Sequence, residues 1–116
     1  MTVIGVRLRA ARKAAGMSQE VLAIEAGIDP VSASARMSQY ETGKYEPTYS
    51  TMQQISAVLR VPVAYFYCDD DAMARLLLDY SRASLRDREA VERIVGALAI
   101  ENPIGRPAPR KPRKDS

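Results

Sequence analysis

Apolar residues recur at helical spacing along most of this chain, and short polar or glycine-containing breaks separate the runs. Residues 3–15, VIGVRLRAARKAA, place Val3 or Ile4, Leu8, Ala11 and Ala15 on one stripe flanked by Arg7, Arg9, Arg12 and Lys13. Gly16 stops that helix, and Ser18 is suited to cap the next, with Glu20 near the positive end of its dipole. Leu22, Ala23 and Ala26 form the inner stripe of this second helix, and Gly27 ends it. The next helix should be running by Arg36 and finished before Gly43. Its start is open. Asp29 and Pro30 can form an N-cap and first-turn pair, or Pro30 can sit in a turn while Ser32 or Ser34 caps.

Residues 48–59 predict a fourth helix with Met52, Ile55, Ala57 or Ser56, and Leu59 inward. Pro62 opens a short fifth carrying Val63, Tyr65 and Phe66. After Asp69–Asp71, the spacing of Met73, Leu76, Leu77 and Tyr80 predicts a sixth helix. Ser84 and Asp87 resemble a capping box ahead of a seventh, with Val91, Ile94, Val95 and Leu98 on one side. The expected fold is therefore all-α: a compact five-helix domain over residues 1–68, followed by two helices within 69–104. Residues 105–116 are Pro-rich and basic with little to bury, and are read as a disordered tail.

Composition narrows the chemistry. One cysteine, Cys68, rules out a disulfide within the chain, and the absence of histidine removes the commonest metal ligand and general base. The run Asp69–Asp71 lacks the alternating oxygen ligands and central glycine of a calcium loop. No metal, no cofactor and no enzymatic activity are expected. The apolar runs are too short for a membrane span and the N-terminus does not resemble a signal peptide, so a cytoplasmic location is expected. Residues 1–60 carry seven basic and five acidic side chains, residues 61–105 five and eight, and residues 106–116 five and one. Positive charge thus sits at both ends of the chain, which fits a polyanionic partner.

On a helical wheel, Ala33, Met37 and Tyr40 cluster on one side and are assigned to the core. Ser34, Ala35, Ser38, Gln39 and Thr42 cluster opposite, with Arg36 at the edge. That outer face lacks bulk and negative charge, so the helix can lie close against another surface. Three stretches then fall in order: Ile4-Gly5-x-Arg7-Leu8-Arg9-x-x-Arg12; Gly16-Met17-Ser18-Gln19-Glu20-x-Leu22-Ala23 with Ala26-Gly27-Ile28; and Ser38-Gln39-Tyr40-Glu41-x-Gly43-Lys44-x-x-Pro47. Together they resemble the helix-turn-helix regulators of the phage Cro and lambda-repressor (XRE) type over about residues 3–67. One departure stands out. Gly27 to Tyr40 spans thirteen positions, about four more than the family pattern, so residues 29–33 either lengthen the turn or extend the third helix.

The resemblance implies a transcriptional regulator, a repressor, that reads a double-stranded DNA operator as a homodimer. The third helix would enter the major groove, where Gln39 suits adenine, Ser34 or Ser38 either base edge, and Ala35 a thymine methyl. Arg36 suits guanine or a phosphate. The family places Gln19 on a phosphate; Thr42 and Lys44 would hold the backbone on the far side, with Arg9 and Lys13 as further contacts. It also pairs Arg12 with Glu41 in a partly buried ion pair. The helices over 69–104 are the candidate dimerisation element. The alternative reading is an antitoxin or adaptor that uses the same fold to bind a partner protein.

Overall fold

The first helix sets the framework on which the others pack. In the computed structural model, which describes residues 2–99, α1 spans Val3–Ala14 and is capped by the Thr2 hydroxyl, which accepts from the Gly5 amide at 3.0 Å. Ile4, Leu8 and Ala11 face inward, whereas Val3 is partly exposed and Ala15 lies beyond the helix end in solvent. Ser18 caps α2 (Gln19–Glu25) by accepting from the Val21 amide, and Leu22 and Ala23 are fully buried. The third helix, α3 (Ala33–Thr42), ends at Gly43, whose φ of 85° is the left-handed conformation that glycine adopts without a Cβ penalty.

Thr48 caps α4 (Tyr49–Leu59), which turns Met52, Ile55, Ser56 and Leu59 inward. Ser56, rather than Ala57, therefore occupies the inner face, and among the described residues its buried hydroxyl has no hydrogen-bond partner. The short α5 (Val63–Tyr67) drives Phe66 into the centre, with the Tyr65 ring edge-on to it at 5.3 Å. Leu8, Leu22, Met37, Met52, Ile55 and Phe66 are the largest fully buried side chains, one or two from each of the five helices. Methionines and branched aliphatics fill this core, as the scarcity of aromatic residues requires.

Asp70 caps α6 (Asp71–Arg82) by accepting from the Met73 amide at 2.8 Å. Arg7 fastens this helix to α1. Its Nε donates to the Cys68 carbonyl and its Nη2 to Asp71 Oδ1, both at 2.9 Å, and its guanidinium lies over the Tyr65 ring. The carboxylate run is thus a helix start and an ion pair. The inner face of α6 differs from the one its large residues suggest. Ala74 is buried and Leu78 packs on the core, while Met73 and Leu76 are each 57% exposed. Close approach of neighbouring helices favours a small residue, and spacing alone does not weigh size.

Residues up to Arg82 form one compact unit, which extends past residue 68 because α6 is held in it. A second unit begins at Ala83 and contains α7 (Leu85–Leu98), capped by Ser84, whose hydroxyl accepts from the Asp87 amide at 3.1 Å. None of the residues of α7 is buried. All described elements are helical, as the periodicity predicts. The proposed tail at 105–116 lies outside the described residues.

Candidate nucleic-acid interface

The segment between α2 and α3 shows how the additional residues are accommodated. Asp29 Oδ1 accepts from the Val31 amide at 2.8 Å, forming an Asx turn. The carbonyls of Asp29 and Pro30 accept from the amides of Ser32 and Ala33, three residues on in each case, before Ser32 accepts from Arg36 at 2.8 Å. The insertion therefore lengthens the turn, and α3 starts only at Ala33. At the tip of this turn Val31 is 96% exposed.

Ala33, Met37 and Tyr40 anchor α3 in the core. On its outer side Ser34, Ala35, Arg36 and Thr42 are exposed, and Ser38 and Gln39 are half-buried. Among the described residues, the side chains of Ser34, Arg36, Ser38 and Gln39 have no hydrogen-bond or ion-pair partner. Their donors and acceptors are available. Thr42 donates its hydroxyl to the Gln39 carbonyl at 3.3 Å, and the Tyr45 amide donates to the same carbonyl at 3.3 Å. Lys44 is exposed, and its ammonium lies 5.9 Å from the centroid of the Tyr45 ring. Arg9 and Lys13 are exposed one turn apart on α1.

A buried polar cluster fixes the angle at which α3 is presented. Both Glu41 carboxylate oxygens accept from Arg12, one from Nε and one from Nη2, the latter at 3.1 Å. Arg12 Nη1 also donates to the Met17 carbonyl at 2.9 Å, and Gln19 Nε2 donates to Glu41 Oε1 at 3.0 Å. The cluster therefore ties α1, the start of α2 and the end of α3 together. The Arg12 and Glu41 side chains are only 12% and 3% exposed, so the pair sits where its Coulomb energy is weakly screened and its hydrogen bonds are satisfied.

Two residues in this framework have roles that sequence spacing does not reveal. Gln19 carries a bond to Glu41, 22 positions away. Gly5 allows α1 to lie directly against α3, since a Cβ there would collide with the Glu41 carbonyl. A glycine inside an otherwise good helical run is the signal that could have found the second, because a helix interior ordinarily disfavours it.

Two helices braced across a turn, the second presenting a bare, small and polar outer face, constitute a helix-turn-helix unit. The chain belongs to the helix-turn-helix family of the XRE type, whose pattern matches residues 8–66, just over half of the 116 residues. It is 38% identical over 66 residues to uncharacterized HTH-type transcriptional regulators of Sinorhizobium medicae (strain WSM419) and Rhizobium meliloti (strain 1021). The matched part covers 57% of this chain and 45% of each relative, so the chain spans less than half the length of those proteins. The crystal structure of transcriptional regulator BswR is similar with a TM-score of 0.78 and 40% identity, covering 85% of this chain and 98% of that one. Among the described residues, no group of three or more metal-ligating side chains is assembled, and no helix is long and apolar enough to cross a membrane.

Proposed function

We propose that this chain is a sequence-specific, double-stranded DNA-binding transcriptional regulator, acting as a repressor and as a homodimer. The observation that carries the reading is the unpartnered Ser34, Arg36, Ser38 and Gln39 face on a helix held rigid by the Arg12–Glu41–Gln19 cluster. A helix with that face fits the major groove, and its fixed pose reduces the ordering cost of binding. Gln39 reads adenine, Ser34 and Ser38 reach base edges, Ala35 contacts a thymine methyl, and Arg36 takes guanine or a phosphate. Gln19, Thr42, Lys44, Arg9 and Lys13 supply the backbone contacts that set register without reading sequence. The similarity to relatives named as transcriptional regulators supports the same reading.

The homodimer rests on apolar surface left uncovered. Met73 and Leu76 on α6, and Leu85, Ile94, Val95 and Leu98 on α7, are all more than half exposed, an excess of large apolar side chains in water for two helices. A second copy covering them would supply the paired recognition helices that half-sites about 34–36 Å apart call for. The test is a gel shift on DNA upstream of the chain's own gene, with random DNA in parallel. Gln39→Ala should cost ~1–3 kcal/mol on the preferred site and little on random DNA. Equal losses on both would remove Gln39 from base reading. If sedimentation shows the full chain monomeric at micromolar concentration, the exposed apolar residues fall instead to a foreign protein, the adaptor reading.

A further inference from the structure

A concave site lies just past the C-terminal end of α3, and nothing in DNA recognition calls for its chemistry. It is a cleft of about 280 Å³ between the start of α1 and the loop that follows α3. Ile4, Tyr40 and Pro47, all buried, line it together with Tyr45, Tyr67 and Glu46. Three of the six tyrosines of the chain meet here. Among the described residues Glu46 has no ion-pair or hydrogen-bond partner. Its negative charge nevertheless reaches into the cleft. The Tyr67 phenol is held above its ordinary value, by burial first and then by Glu46 and Tyr49.

We propose that this cleft binds a small organic ammonium ion and that its occupancy changes affinity for DNA. Aromatic faces attract cations through their quadrupole, and a carboxylate at the same site adds full charge complementarity. The Tyr45 ring already accepts one cation, the Lys44 ammonium. The space, just under the range of ordinary ligand pockets, suits a cation with a short hydrocarbon body. Coupling to DNA runs through Tyr45. Its ring holds Lys44, and its amide is bonded to the carbonyl of Gln39. A ligand that draws on the Tyr45 ring competes with Lys44 and shifts the loop that closes α3. The second half of the proposal rests on the DNA-binding reading; the first half does not.

The probe is choline, titrated into the full ¹⁵N-labelled chain without DNA, against 3,3-dimethylbutan-1-ol, its neutral isostere. Choline should produce saturable amide shifts at Thr2–Ile4, Gly43–Glu46 and Tyr67. The isostere, and choline on Glu46→Gln, should each bind at least about tenfold more weakly. Glu46 is exposed, so that change leaves the core untouched. Absence of saturable shifts overturns the site, and so does equal binding of the isostere or by the Glu46→Gln chain. In a second arm, saturating choline should alter the midpoint of the DNA gel shift at least about threefold. An unchanged midpoint with choline bound would overturn the coupling. Failure of the chain to bind any DNA would strike the regulatory reading while the NMR result on the cleft stood.

Discussion

The helical body ending at Arg82 and the helix α7 use apolar residues in opposite ways. In the body, Leu8, Leu22, Met37, Met52, Ile55 and Phe66 are fully enclosed by other residues of the same chain. In α7, Leu85, Ile94, Val95 and Leu98 lie between 51% and 76% exposed, and no residue is buried. Both regions are well capped and equally regular, so local helix chemistry does not distinguish them. The difference lies in tertiary burial, which supplies most helical stability in proteins. A fourteen-residue helix such as α7 is marginal in water unless its apolar face is covered. The body buries its own core, whereas the apolar residues of α7 are those the proposed homodimer would cover.

The sharpest way to break this contrast is to attack the body at its polar centre. Glu41→Ala strands the Arg12 guanidinium in a nearly enclosed site and should lower the unfolding free energy by ~3–5 kcal/mol, measured by urea denaturation. Gly5→Ala comes next, at ~1–3 kcal/mol, because the gain in helix propensity is outweighed by the collision with the Glu41 carbonyl. Ser56→Ala should act in the other direction. Removing a buried hydroxyl without a partner should raise stability by ~0.5–1 kcal/mol, read as a higher thermal midpoint. Smallest of all, Ile94→Asp should change monomer stability at high dilution by under ~0.5 kcal/mol while shifting the sedimentation of concentrated protein toward monomer. A large loss of monomer stability there would show that Ile94 is covered within a single chain.

Much of the body is legible in the spacing of its residues. The wheel of α3 separates Ala33, Met37 and Tyr40 from Ser34, Ala35 and Arg36 because one side of the helix is buried and the other bare. Two features escape such reasoning for identifiable causes. On α6 the largest side chains draw attention to Met73 and Leu76, while packing selects the smaller Ala74. Between α2 and α3, Pro30 is compatible with a helix start or a turn, and the chain takes the turn: Ser32 and Ala33 bond three residues back before Arg36 makes the first four-residue bond. In the candidate interface, the outer residues of α3 can be read from the periodicity. The bond from Gln19 to Glu41 cannot, since it joins positions that only the packing of α2 on α3 brings together.

The enclosure of Arg12 and Glu41 has a consequence for how the molecule answers to ionic strength. The Debye length falls from about 8 Å at physiological ionic strength to about 3 Å at 1 M, which screens charges in open solvent and hardly touches a pair removed from it. Arg9, Lys13 and Lys44 are exposed, whereas the Arg12–Glu41 pair is not. Added salt should therefore release any bound polyanion well before it loosens the clasp that orients α3. Electrolyte concentration thus acts on association before it acts on the pose of α3.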